Sequence, residues 1–299
     1  MAPNERISTP FTASSTAADV LQGVDLSGVR AIVTGASSGL GAETARALTA
    51  AGAQVTLAVR NTDAGVTVAD DIETSTRAIR PRVRRLDLAD RHSVSRFAEA
   101  WDGPLHLLVN NAGLVTNGLE RTPAGWELQF VTNHLGHFAL ATGLRDALAL
   151  GAIERHGARI VSLSSTAHMR SGIDFDDLHF ERRRYDPQIA YAQSKTANSL
   201  FAVEATRLWD SDGIIANAVN PGGVATGLHR NFTTQQRESL DAAEAAGVFT
   251  YKPSNRAPQP PSSQPSPRSS HIPEVTTSTT HKRPTPYPTT PTSPSTLTG

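Results

Sequence analysis

The 299-residue sequence predicts an α/β protein built on a doubly wound parallel sheet with helices on both faces. Six short apolar runs recur between residues 29 and 220, and longer amphipathic stretches separate them. Strand alternating with helix at this spacing implies a parallel sheet with helical crossovers. A third observation bounds the domain: of the 47 residues from Pro253 to Gly299, 31 are Ser, Thr or Pro. Such a segment cannot bury enough apolar surface to offset its ordering entropy and is expected to be disordered.

The elements follow in order. Val29–Thr34 (VRAIVT) reads as a buried strand, then a glycine turn and a helix over Ala42–Ala51. Gln54–Arg60, Arg82–Leu88 and Leu105–Asn110 are the next strands, with helices near 62–73 and 91–101 between them. Ala158–Leu163 and Ile214–Asn220 complete six, preceded by long helices near 122–149 and 188–210. Residues 1–26, rich in Ala, Ser and Thr, form an N-terminal extension; 27–252 form the domain; 253–299 form the tail.

Composition removes several function classes. Lys+Arg and Asp+Glu are both 28, a balance that argues against nucleic acid or an anionic membrane surface as partner. There is no cysteine, so disulfides, thiolate metal sites and thiol nucleophiles are excluded. No apolar run approaches the roughly 18 residues that span a bilayer, and the N-terminus lacks a signal-peptide layout. The expectation is a cytoplasmic protein. Only three of the 28 basic residues are lysine, and Lys195 is the sole one before Lys252.

Thr34-Gly35-Ala36-Ser37-Ser38-Gly39-Leu40-Gly41 follows the first strand and opens the first helix. Glycines there let the backbone turn tightly against a pyrophosphate seated at the positive helix N-terminus. Farther on, Tyr191 and Lys195 lie four residues apart on a helix and share a face. An ammonium about 4 Å from a phenol, at an effective dielectric near 20, is worth roughly 4 kcal/mol. That would bring a phenol from about 10 toward neutrality, fit to exchange a proton with a carbonyl or alcohol.

Taken together, these motifs resemble the classical short-chain dehydrogenase/reductase family, nearest its retinol dehydrogenase and protochlorophyllide reductase branch. The resemblance is carried in order by TGASSGLG at 34–41, Asp87-Leu88, and Asn110-Asn111-Ala112-Gly113. Asn133-His134-Leu135-Gly136-His137-Phe138, Ser164-Ser165, Tyr191-Ala192-Gln193-Ser194-Lys195 and Pro221-Gly222 follow. It covers roughly residues 27–230 and implies a Rossmann domain transferring the 4-pro-S hydride between a nicotinamide and a carbonyl or alcohol carbon.

The family pattern puts the catalytic set at Asn133, Ser165, Tyr191 and Lys195, with Ser164 as a structural neighbour. It puts cofactor contacts at Gly35, Ser37, Ser38, Gly39, Leu40, Gly41, Asp87, Leu88, Asn111, Ala112, Gly113, Tyr191, Lys195, Pro221, Gly222, Val224 and Thr226. The second strand ends Val59-Arg60-Asn61 without the acid that would hold a ribose 2′-hydroxyl, and Arg60 can fork onto a 2′-phosphate. NADP(H) is therefore favoured over NAD(H). His134, His137 and His168 lack companions at ligand spacing and read as packed or supporting residues, so no metal is expected.

The branch handles lipophilic aldehydes, ketones and alcohols, and its members form homodimers or homotetramers through the two long helices. Pocket-lining stretches fall near 166–186 and 223–247, where Asp174, Asp176, Asp177 and Glu181 to Arg184 read as solvated charge. The rival reading is a nucleotide-binding regulator without turnover, or a truncated and inactive enzyme.

After its sixth strand the family continues into a helix and a seventh strand, for which residues 253–299 have neither length nor periodicity. A natural tail on a shortened domain would explain this. A shifted reading frame would too, and the position of the break favours it. Either way the exposed edge of the sixth strand predicts a less stable, more aggregation-prone protein.

Overall fold

The computed structural model describes residues 9–12, 15–222, 224–225 and 252–253, and all elements below lie within the unit Pro10–Arg268. A short helix, α1 (Ala17–Val20), is opened by a capping box between Thr16 and Asp19. Then β1 (Arg30–Thr34), α2 (Gly39–Ala50), β2 (Gln54–Val59), α3 (Thr62–Thr76), β3 (Arg82–Arg85), α4 (Arg91–Glu99) and β4 (Leu107–Asn110) alternate as the sequence predicts. Asn61 and Asp90 cap α3 and α4 through their side-chain oxygens.

The expected helix over 122–149 is a correction. Residues 122–126 form a turn closed by an Arg121–Glu127 bridge. The Glu127 carboxylate then accepts from Gln129 N at 3.0 Å and Phe130 N at 2.6 Å, starting α5 (Leu128–Phe130). A π turn over Val131–Leu135 leads into α6 (Gly136–Gly143), and after a break at Leu144 into α7 (Arg145–Arg155). Close packing accounts for Gly136, since a Cβ there would stand 2.3 Å from the Leu88 carbonyl oxygen. Apolar periodicity registers the helical face but not the inserted residue of a π turn.

The strand β5 (Ala158–Leu163), the helix α8 (Pro187–Trp209) and the strand β6 (Ile214–Val219) complete the main sheet. Its order is β3-β2-β1-β4-β5-β6, with every pair parallel. Val224–Ala225 (β7) and Lys252–Pro253 (β8) form a separate two-stranded parallel sheet, which was not expected from the sequence. Among the described residues no seventh strand joins the main sheet. Thr226, nearly all of the pocket-lining stretch expected at 223–247, and the tail from 254 lie outside the described residues.

Alternation along the strands sends side chains to two cores. Ile32, Leu108 and Ile160 pack with Phe97, Leu140, Leu148 and Phe201 under α4, α6, α7 and α8. Val33, Val109 and Val161 pack with Ala45, Leu48, Ala69 and Ile72 under α2 and α3. The strand order reverses between β1 and β4, and the loops leaving those two strands diverge to opposite faces. A cleft opens there at the C-terminal ends of the strands.

Candidate active site

That cleft has a volume of about 750 Å³. It is walled by 35 and 37–41 after β1, Arg60 and Asn61 after β2, Leu86–Leu88 after β3, and 111–116 after β4. Ser164, Tyr191, Lys195 and Pro221 close the other side. Fifteen of the sequence-predicted cofactor contacts thus share one cavity. Gly222 has φ +78° and stands outside its wall, and Val224 belongs to β7.

The glycine turn is built by backbone conformation. Gly35 and Gly39 adopt φ of +66° and +58°, where a side chain is strained. A Cβ on Gly35 would lie 2.8 Å from Ala112 Cα, and one on Gly41 would lie 2.5 Å from Asn111 Nδ2. The turns after β1 and β4 therefore touch across the switch point. Ser38 occupies the N-cap of α2 with no side-chain cap bond, so the first-turn N–H groups face the cleft. Arg60 is exposed at its rim with no ion-pair partner among the described residues. Open N–H groups, a helix N-terminus and a free guanidinium suit the phosphates of a dinucleotide.

Across the cleft, the polar side chains are buried. Lys195 is 4% exposed, and its ammonium donates to the Leu163 carbonyl at 2.8 Å. Asn198 Nδ2 donates to that same oxygen at 2.9 Å. Ser164 donates to the Lys195 carbonyl at 2.9 Å, so its hydroxyl is tied to α8. Ser165 Oγ accepts from Ala167 N at 3.2 Å and lies near the Tyr191 hydroxyl, whose proton it loosens. Asn133, fully buried in the π turn, accepts from Leu114 N at 2.8 Å and donates to Leu114 O and Ser194 Oγ, each at 3.1 Å.

Two expectations fail here. The Lys195 ammonium stands 5.5 Å from the centre of the Tyr191 ring and makes no bond to its hydroxyl. Burial pushes the phenol up to about 12, only partly offset by Ser165, and burial brings Lys195 down to about 8. Helical i,i+4 spacing gave the shared face but not where the ammonium is held. As it stands, the phenol keeps its proton at neutral pH.

The second failure concerns the stretch after Ser165. Asp177 is 8% exposed and accepts from the backbone N–H groups of Glu181 at 2.7 Å and Arg183 at 3.0 Å. Those bonds, above all the one from Arg183, hold its carboxyl below the usual range. Gln193 in α8 accepts from Asp174 N and Arg183 Nη2 and donates to the Leu178 carbonyl. Asp174, Asp177 and Arg183 thus tie this stretch to the Tyr191 helix, while Asp176, Glu181, Arg182 and Arg184 are exposed, as expected of solvated charge. Its acidic composition gave no sign of these backbone donors, and nothing in the sequence singled out Gln193.

Likeness to known proteins agrees with this arrangement. The family model described as short chain dehydrogenase matches residues 30–237. The chain is a short-chain dehydrogenase/reductase. A Streptomyces lividans protein named "Probable oxidoreductase" is 47% identical to this dehydrogenase/reductase over 237 residues, 79% of this chain and 78% of its own. Mouse retinol dehydrogenase 12 is 40% identical over 211 residues, 70% of this chain and 65% of its own. A solved structure of an uncharacterized protein from Mycobacterium paratuberculosis has a TM-score of 0.61 at 38% identity, covering 79% and 81% of the two chains. Among the described residues of this dehydrogenase/reductase, no helix is long and apolar enough to cross a membrane.

Proposed function

We propose that this short-chain dehydrogenase/reductase uses NADP(H) to interconvert a carbonyl and an alcohol in a small lipophilic substrate. The observation that carries the reading is Tyr191 at the wall of the cleft, with Ser165 near its hydroxyl and buried Lys195 one helical turn away. When bound, the nicotinamide supplies or accepts the hydride. Tyr191 Oη gives its proton to the carbonyl oxygen in reduction, and Ser165 Oγ hydrogen-bonds that oxygen as negative charge develops. Lys195, fixed by the Leu163 carbonyl, places positive charge behind the phenol; Asn133 holds the 113–114 backbone against it. Residues 35–41 cradle the pyrophosphate, with Asp87, Leu88, Asn111, Ala112, Gly113 and Pro221 completing the dinucleotide site.

Arg60 supports the 2′-phosphate, as do a Pseudomonas aeruginosa structure titled as an NADP active-site complex and its TM-score of 0.59 at 26% identity. That structure covers 73% of this chain and 82% of its own. The retinol dehydrogenase relatives support the lipophilic substrate class. Half-exposed Phe138, Leu200 and Val203 on α6 and α8 support self-association through those helices. A thermal-shift titration with NADPH and NADH, followed by a panel of aldehydes and ketones, tests the proposal. A larger stabilisation by NADPH and oxidation of NADPH by one of the panel are expected. Equal or no stabilisation would overturn the cofactor assignment.

A further inference from the structure

The sequence leaves His137 without a task, yet it is 2% exposed and stands between two parts of the site. Its Nε2 is 2.8 Å from Thr34 Oγ1, and its Nδ1 is 3.0 Å from the Asn133 carbonyl oxygen. A carbonyl can only accept, so Nδ1 carries the proton. Thr34 Oγ1 already accepts from Asn111 N and Ala112 N, both at 2.9 Å. Its own proton therefore goes to the lone pair on Nε2. The alternative acceptor, the Val109 carbonyl, is farther away at 3.3 Å. One neutral tautomer satisfies every group, whereas a second ring proton would point at an oxygen that already accepts two bonds. Burial agrees, holding the imidazole down to about 3, and nearby Lys195 and His134 disfavour the cation further.

These bonds close a ring. Thr34 clamps the turn after β4 at Asn111 and Ala112, and Asn133 clamps it at Leu114 through both Oδ1 and Nδ2. His137 joins the two clamps. Between them lies Gly113, where a Cβ would stand 3.4 Å from Asn133 Oδ1 and 3.8 Å from Lys195 Nζ. The ring has no branch to solvent through the imidazole, because Thr34 and His137 are both buried. It is a strut rather than a proton path. We propose that His137 is a positioning residue, a neutral imidazole of fixed tautomer that sets the spacing of the two clamps and so the shape of the Asn111–Leu114 wall that receives the dinucleotide.

The proposal rests on the nucleotide reading above only for the ligand it names. Two measurements on the full chain test it. Long-range ¹⁵N–¹H spectra of histidine-labelled protein, assigned by loss of the His137 signal in His137→Gln, should show the Nδ1–H tautomer without titration between pH 5 and 8. The Nε2–H tautomer, or titration in that range, would overturn the strut. NADPH affinity should fall about tenfold in His137→Leu, the order expected for one buried hydrogen bond left unmade. His137→Asn keeps a donor for the Asn133 carbonyl and His137→Gln keeps an acceptor for Thr34, so each should restore part of that loss. Wild-type affinity in His137→Leu, or affinity that merely follows melting temperature across the three variants, would overturn it. If His137→Leu does not fold, His137→Asn, His137→Gln and the spectra decide. If the unaltered chain binds neither NADPH nor NADH, the nucleotide reading fails and the tautomer alone decides the strut.

Discussion

The two sides of the cleft place their chemistry by different means. On the β1–β3 side the cleft presents backbone N–H groups of a turn shaped by glycines in left-handed conformations, and an exposed arginine. On the β4–β6 side they are side chains, and Asn133, Ser164, Ser194, Lys195 and Asn198 are all buried with hydrogen bonds. The glycine turn on the first side is specified within eight consecutive residues. The second is specified by contacts such as Thr34 to His137 and Lys195 to Leu163, which join segments far apart in the chain. Changes on the first side should therefore act on binding, and changes on the second should act on chemistry and stability together.

The largest effect should come from Tyr191→Phe. The ring still packs, but the transferable proton is gone, so kcat for a carbonyl found in the panel should drop about 10³-fold or more. NADPH affinity should stay within a few-fold. Substantial residual turnover would mean that the proton comes from another group and that the buried side is not where the chemistry resides.

Next comes Gly35→Ala, which sharpens the claim that the first side is built from backbone. An alanine there would meet Ala112 Cα at 2.8 Å while held at φ +66°. Backbone strain of about 1–2 kcal/mol adds to that clash. NADPH affinity should weaken about a hundredfold as the touching turns separate, measured by fluorescence titration. Unchanged affinity would show that the turn tolerates a side chain.

Arg60→Asp should act more locally. It puts a negative charge where a 2′-phosphate would lie and leaves the fold alone, because Arg60 is exposed and holds no ion pair among the described residues. The expected result is NADPH binding weaker by about tenfold or more at moderate salt, with NADH unchanged or improved. An unaltered preference for NADPH would remove Arg60 from the site.

The same contrast explains what the sequence revealed. The inner strands were legible because a buried parallel strand is a short apolar run whatever it pairs with, whereas β3, at the sheet edge with no buried residue, was read from a run that extends to the buried Leu86 and Leu88. The glycine turn was legible for the same local reason. Spacing put Tyr191 and Lys195 on one face, but the Leu163 carbonyl that holds the ammonium is 32 residues away in the chain. Asp177 looked like surface charge because its partners are backbone N–H groups, which composition does not record. The π turn at Val131–Leu135 was hidden too, since one inserted residue barely changes the apolar period.

The smallest expected effect, a shift in melting temperature, tests the cost of the buried side. Lys195 is held charged in an apolar setting, and its base is depressed from 10.5 to about 8 by burial. At pH 7 both folded and unfolded chains carry the proton, and the folded chain bears the desolvation, on the order of 3 kcal/mol. Lys195→Met keeps the stem and removes the charge, so it should lose turnover and yet melt several degrees higher at pH 7. The difference should shrink as pH rises from 8 to 10.5. In that window the folded wild type sheds the lysine proton while the unfolded chain keeps it, so wild-type stability rises toward that of the variant. Tyr191 and Tyr185, both raised to about 12 chiefly by burial, act oppositely above pH 10 in both proteins and cancel in the comparison. Thermal melts of the two chains at pH 7, 8.5 and 10 read this directly. A variant that melts lower at pH 7, or a gap that does not change with pH, would mean that the Leu163 bond outweighs desolvation, and the buried side would then be stabilised by its chemistry rather than strained by it.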